Sequence, residues 1–335
     1  MSTSLVLVVG SGRSGTSMFS GLLQRLGYRV PEPEVPADDS NPRGFAESQW
    51  VVDFHTRLLG AARVQTTDAR PAAWADTARV SGARVERELR GFLKRQFAES
   101  DHVLIKDPRL LWFLPLWRRT AADLGVEPGC VIALRHPAAV VASKSQNYGQ
   151  MHGDVARAAG WLNTMLYTER ATRANVRAFI RYDDLLDDWT KIVASVGDRL
   201  SLEPVARASA VMIRAADAFV DRSLSRTEAS WDGLDIPPEL LGQVEQAWSL
   251  LDRLAEKDAG DSDDVAEQLD AARSQFIHYY AQAEAITEST VAAAVRAARE
   301  TRRGGLRALA RRIPNRYRRR VPAGLKRLAR SKLTR

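Results

Sequence analysis

The chain has 335 residues, 45% of them hydrophobic, and a formal net charge of +8, enough apolar material for a sizeable core in one or two domains. Its single cysteine, Cys130, excludes an internal disulfide framework and a cysteine-rich zinc site. The positive charge belongs to one end: residues 301–335 carry 14 Arg or Lys and no Asp or Glu, and taking those 14 charges from +8 leaves −6 over residues 1–300. A whole-protein nucleic-acid binder is therefore not expected. No apolar run reaches the ~18 residues of a membrane span, and residues 5–9 are too short for a secretory leader core, so a cytoplasmic location is expected.

Residues 5–9, Leu-Val-Leu-Val-Val, form the branched apolar run of a strand buried on both faces of a parallel sheet. They lead into Gly10-Ser11-Gly12-Arg13-Ser14-Gly15-Thr16-Ser17 and a helix over about residues 16–26. Strand, glycine turn and helix start together make an anion site, because backbone N–H groups and the helix dipole converge there. Three patterns compete for it. Gly10, Gly12 and Gly15 satisfy the dinucleotide fingerprint, but the second strand it needs falls on Pro31-Glu32-Pro33-Glu34-Val35-Pro36, and prolines do not make a central strand. Gly10 and Gly15 fit a triphosphatase loop, yet Thr16 stands where its lysine belongs. A basic residue directly before Ser-Gly-Thr-Ser, at Arg13, is the third pattern.

Further along, residues 31–42 are proline-rich and acidic, and Asn41-Pro42-Arg43-Gly44-Phe45-Ala46-Glu47 turns the chain into a helix expected over residues 47–60. His55 lies eight residues after Glu47 and would share its face. A helix is expected over residues 79–98. His102-Val103-Leu104-Ile105-Lys106 reads as a second buried strand, ending in Asp107-Pro108-Arg109. Asp107 and Arg109 either face a ligand at the sheet's carboxyl edge or serve the start of the next helix, which runs over residues 110–124 with an interruption at Pro115. Residues 130–134 form a third strand with Cys130 in the core. Arg135 and Ser143 follow, eight apart, placed to face one anion.

An amphipathic helix over 155–175, a fourth strand over 176–181 and a helix over 183–195 are expected next. From 262 to 300 apolar residues recur at Val265, Leu269, Ala272, Phe276, Tyr279, Ala283 and Ile286, as in a long helix whose stripe packs on the core or on a helix partner in an oligomer. The expected domains are 1–260, a helical extension over 261–300 and a basic tail over 301–335. Basic residues and leucines alternate over 302–335, which suits either peripheral binding to an anionic membrane face or a disordered tail. The five histidines show no ligand spacing, and no metal is expected.

Taken together these segments resemble the sulfotransferases that use 3′-phosphoadenosine-5′-phosphosulfate (PAPS), in particular bacterial members with a P-loop-like fold. The resemblance rests on Arg13-Ser14-Gly15-Thr16-Ser17, Asn41-Pro42-Arg43-Gly44-Phe45-Ala46-Glu47, Lys106-Asp107-Pro108-Arg109, Leu134-Arg135-His136-Pro137 with Ser143, and Arg181-Tyr182-Asp183-Asp184-Leu185-Leu186. An Arg-His pair common near the end of that domain is missing over residues 219–226, and the Arg-Lys-Gly element of the cytosolic branch is absent. The resemblance implies an α/β fold, a mainly parallel sheet flanked by helices with a helical C-terminal extension. It implies PAPS as co-substrate, without metal, held by Gly12, Arg13, Ser14, Gly15, Thr16 and Ser17 at the 5′-phosphosulfate and by Arg135 and Ser143 at the 3′-phosphate. It further implies Glu47 as general base beside Arg13, and a hydroxyl acceptor, with an amine second, on a small molecule, sugar or glycolipid; His55, from its helix position, and Asp107 and Arg109, from the strand end, are the weaker cleft candidates. A P-loop nucleotide kinase with Asp107 holding Mg²⁺ is the second expectation, and a non-catalytic nucleotide- or lipid-binding module the third.

Overall fold

The computed structural model describes residues 3–39, 41–148, 153–221, 229–256 and 263–312, with side chains for all of these except 147–148 and 302–312. His152, residues 222–228 and the tail beyond 312 lie outside the described residues, and with them the expected membrane-binding leucines from Ile313 onward. Two compact units are distinguished, residues 1–277 and 278–335.

In the first unit four parallel strands form one sheet: β1 (Ser4–Gly10), β2 (His102–Lys106), β3 (Gly129–Leu134) and β4 (Arg177–Arg181), in the order β2-β1-β3-β4. Register runs Leu5 to Val103, Leu7 to Cys130 and Ile132 to Phe179. The apolar runs read from the sequence are buried on both faces: Val6 and Val8 join a core with Phe19, Leu22 and Leu23 of α1 (Thr16–Arg25), and Leu5, Leu7 and Val9 are equally buried. The architecture is the α/β fold with a parallel sheet and flanking helices that the sequence implies. The chain passes from β1 to β2 on one side and then crosses to β3 on the other, so the loops after β1 and β3 part at a topological switch point, where open α/β sheets hold ligands.

The helices between β1 and β3 are α2 (Gln49–Ala62), α3 (Ala73–Val80), α4 (Ala83–Glu99) and α5 (Leu114–Ala122), the last preceded by a 3₁₀ turn over Leu110–Phe113. The single helix expected over 79–98 is thus two, broken at Ser81-Gly82. The expected interruption at Pro115 shows as the change from 3₁₀ to α geometry, with proline in the first turn of α5, where its missing N–H costs no bond.

After β3 come α6 (Pro137–Tyr148) and α7 (Asp154–Thr172). The expectation of an amphipathic α7 is corrected: Trp161, Leu162, Asn163, Met165, Thr168 and Glu169 are among residues buried all round it, because it is enclosed by the sheet, α5, α6 and α12 (Pro238–Arg253). Its threonines are accommodated by donating to carbonyls one turn back, Thr164 to Gly160 (2.8 Å) and Thr168 to Thr164 (2.7 Å). Residues 183–195 are likewise two helices, α8 (Tyr182–Asp187) and α9 (Trp189–Leu200), divided where the Asp188 side chain caps α9. The short α10 (Glu203–Ala206) and α11 (Ala210–Phe219) follow.

The final helix, α13 (Asp263–Arg312), crosses the boundary between the units. Its stripe is buried at Val265, Leu269, Ala272 and Phe276, and Ala283 and Ile286, expected to continue that stripe, are exposed. Among the described residues no helix is long and apolar enough to cross a membrane. An ion network ties the start of α13 to the sheet: buried Glu169 of α7 binds Arg177 of β4 (3.1 Å) and Arg173 (2.7 Å), and Arg173 reaches Asp270 (2.8 Å). Removing one member of a buried pair strands the other charge. Glu169→Ala should therefore lower the unfolding free energy by about 3–5 kcal/mol in urea denaturation, and a loss under about 1 kcal/mol would contradict this role.

Candidate active site

β1 ends on Gly10, whose φ of 153° and position leave no room for a side chain: a Cβ there would lie 2.6 Å from the Ala133 carbonyl oxygen. This close approach of β1 and β3 brings the turns after both strands to one edge. The turn after β1 is left-handed at Arg13 (φ 76°) and at Gly15 (φ 85°), the residue before α1. A Cβ on Gly15 would meet the Tyr182 ring at 2.4 Å, so that glycine is required both by its backbone and by the aromatic wall. No side chain caps α1, which leaves its first N–H groups for a ligand.

Gly12, Arg13, Gly15, Thr16 and Ser17 line a cleft with Arg135, Ser143, Gln146 and Tyr182 at one end and Phe45, Glu47, Lys106 and Pro108 at the other. Ser14 is an exception among the expected loop ligands: it is buried outside the cleft lining, with its hydroxyl unbonded.

At the first end the two anion sites read from the sequence merge. Arg13 Nε donates to Ser143 Oγ (3.0 Å), and Arg135 Nη1 donates to the Arg13 carbonyl (3.2 Å). The left-handed backbone at Arg13 is thus held from both its ends. The Arg135 guanidinium also lies over the Tyr182 ring, 4.5 Å from its centroid. Burial presses its pKa downward against the pull of Tyr182 and Asp183, and the nearby Arg13 charge adds a smaller push the same way as burial. An incoming anion would relieve that strain.

The opposite end holds a residue that sequence reasoning did not single out. Lys106, the last residue of β2, donates from Nζ to Ser17 Oγ (3.0 Å), to the Phe45 carbonyl (3.1 Å) and to Glu47 Oε1. It brings to the start of α1 the ammonium that Thr16 lacks. A lysine closing an otherwise apolar buried strand was the available signal. Glu47 precedes α2 and is not part of it, correcting the helix expected from residue 47; α2 starts at Gln49 after Ser48. Its backbone is clamped instead, with Val35 N–H donating to the Glu47 carbonyl (2.8 Å) and Gln49 N–H to Pro33 (2.8 Å). Burial lifts the Glu47 carboxyl above its ordinary pKa, with Lys106 pulling the other way.

His55, Asp107 and Arg109 do not line this cleft. The expected shared face of Glu47 and His55 is absent, since Glu47 is outside the helix and His55 is wholly buried. Trp117 Nε1 donates to His55 Nε2 (2.9 Å), which makes that nitrogen the acceptor and puts the proton on Nδ1, against Asp107 Oδ2 (2.6 Å). Asp107 Oδ1 accepts from Arg109 N (3.1 Å) and Nη1 (2.6 Å), so both its oxygens are engaged within the protein. Burial pushes the Asp107 carboxyl up, and the bonds from His55 and Arg109 outweigh it and hold the pKa below its usual 3.8. A depressed carboxylate stabilises the fold above the unfolded value and ceases to do so as pH falls through the folded one. Asp107→Asn should therefore be less stable than the parent at pH 7 by about 1.5–3 kcal/mol, the gap closing below about pH 4; a gap independent of pH in urea melts would refute the assignment.

Among the described residues no group of His, Cys, Asp and Glu is arranged to hold a metal. The cleft mouth carries Asp39, Asn41, Arg43 and Asp221, with Arg43 paired to Asp221 at 3.3 Å. No protein-family model matches the chain, and no curated protein matches it. Two solved structures align with it over most of their length. One is titled a sulfotransferase domain from the Synechococcus PCC 7002 olefin synthase, at 17% identity and a TM-score of 0.41, covering 73% of this chain and 94% of that one. The other is titled a sulfotransferase domain from the curacin biosynthetic pathway, at 12% identity and a TM-score of 0.39, covering 74% and 98%.

Proposed function

We propose that the protein transfers a sulfuryl group from PAPS to a hydroxyl of a small-molecule, sugar or glycolipid acceptor. The observation that carries this reading is the pairing, across one cleft, of the Arg13–Ser143–Arg135 cluster with the Lys106–Glu47 pair, on either side of the uncapped start of α1. PAPS is a nucleotide with two anionic ends, and the cleft offers cations at two ends. Open space above Gly12, where a Cβ would meet nothing within 4 Å, gives an oxyanion access to the loop amides.

In this reading the acceptor oxygen forms a bond to sulfur while the bond from sulfur to the 5′-phosphate oxygen breaks, its electron pair leaving with the phosphate. The products are a sulfate ester and adenosine 3′,5′-bisphosphate. Lys106 and the α1 amides stabilise the charge growing on the departing phosphate. Glu47, the buried carboxylate beside them, takes the acceptor's proton, and its upward-shifted pKa suits a base. A nucleotide kinase with Mg²⁺ on Asp107 is less well supported, because both oxygens of that carboxylate already accept bonds from His55 and Arg109.

Parallel calorimetric titrations with adenosine 3′,5′-bisphosphate, ATP and NAD test the class, and tight binding of the bisphosphate alone is expected. Arg135→Ala should weaken the bisphosphate by about 1.5–3 kcal/mol more than it weakens adenosine 5′-phosphate, which loses only the support Arg135 gives the loop; equal weakening of both would remove the 3′-phosphate assignment. Glu47→Gln should lower turnover by about 10²–10⁴-fold with bisphosphate affinity nearly intact. Turnover within about threefold of the parent, under ~1 kcal/mol in barrier, would exclude Glu47 as the base.

A further inference from the structure

Lys144 of α6, next to Ser143, is a buried cation that the transfer chemistry does not use. Its Nζ donates to Ser11 Oγ (3.1 Å) and to Thr67 Oγ1 (3.2 Å). Ser11 opens the turn after β1, directly before Gly12 of the cleft wall. Thr67 packs on Gly160 of α7, where a Cβ would come within 2.6 Å of its methyl group. The ammonium therefore joins the loop, α6 and the segment before α3, and its partners among the described residues are neutral hydroxyls.

Among the described residues, the acidic groups on the surrounding elements are paired elsewhere. Asp154 of α7 pairs with Arg157 (3.1 Å), and Asp68 beside Thr67 pairs with Arg70 (2.7 Å). Burial first, and then the Arg157 charge, bring the Lys144 ammonium down to about 8. A buried ammonium facing hydroxyls is costly until a negative charge comes near.

We propose that Lys144 is a built-in counter-charge for the loop, so that seating an oxyanion over residues 11–17 and protonating Lys144 favour each other, with Ser11 as the link. This rests on reading the loop as an oxyanion site but not on PAPS. It makes Lys144 a positioning residue, acting on the loop from behind the cleft.

Inorganic sulfate is the probe, since its charge is constant over the pH range needed, and chloride at equal ionic strength is the control. Thermal shifts of the full chain between pH 7 and 9.5 should show the sulfate dissociation constant rising about fivefold or more. Lys144→Met should bind sulfate more weakly at pH 7 and lose this slope. Lys144→Arg, which keeps a cation at the site, should keep the affinity and lose the slope. Without sulfate the sign reverses. The folded value of about 8 lies below the ordinary 10.5, so the unfolded chain binds more protons between them and the parent should gain stability over that window relative to Lys144→Met. Folding of both variants is verified by circular dichroism, and the Arg variant alone decides if the Met variant does not fold. A parent without the sulfate slope, or a folded variant that retains it, overturns the proposal. The outcomes separate from the PAPS reading: a slope without bisphosphate selectivity removes only PAPS, and selectivity without a slope removes only the role of Lys144.

Discussion

The approach of β1 to β3 at Gly10 and Ala133 is the constraint on which the cleft depends. Backbone contact this close requires a residue without a side chain, and it places the turns after two neighbouring parallel strands side by side. Arg13 then lies within reach of Ser143, and Arg135 within reach of the Arg13 carbonyl. An arginine in the left-handed region is ordinarily unfavourable. Here its side chain and carbonyl are both tied down, so the strained turn is held by the groups it brings together. The Tyr182 ring completes the arrangement, filling the space over Gly15 while lying under the Arg135 guanidinium.

Positive charge reaches the cleft from separate elements: Arg13 from the loop after β1, Arg135 from the end of β3 and Lys106 from the end of β2. All three sit at or just beyond strand carboxyl ends, the edge toward which parallel strands direct their loops. Lys106 is buried, and Glu47 meets its charge. That pairing also restrains Glu47, whose own burial lifts its pKa. The carboxyl is thereby held beside a cation, which favours its ionised form.

Around this edge the fold is stiffened by polar contacts that face inward. Trp117, His55, Asp107 and Arg109 form a hydrogen-bonded chain running from α5 through α2 to the turn after β2. Since Asp107 directly follows Lys106, fixing the former fixes where the latter's backbone leaves the sheet. His55, Asp107 and Arg109, expected in the cleft from the sequence, instead hold the strand end in place. The Glu169 network does similar work at the far side, joining α7, β4 and the start of α13.

Short-range physics made much of this legible from the chain alone. Short runs of branched apolar residues bounded by turn signals favour buried strands, three glycines before a helix favour a turn open to an anion, and an Arg and Ser after a strand share an edge. Residues 5–9, 102–106 and 130–134, the loop over 10–17 and the pair Arg135 and Ser143 were read on those grounds. What tertiary structure decided was which side chains converge. Glu47 lies outside the helix because strand-like contacts with residues 33–35 capture it, His55 turns to Trp117 and not to the cleft, and α7 loses its polar face to enclosing helices. Lys106 becomes a cleft residue and Lys144 the cation behind the loop only when β2, α6 and the turn after β1 are brought together across 89 and 133 positions of sequence. Periodicity records how one element meets water, and it carries no information about which distant element will supply the opposite charge.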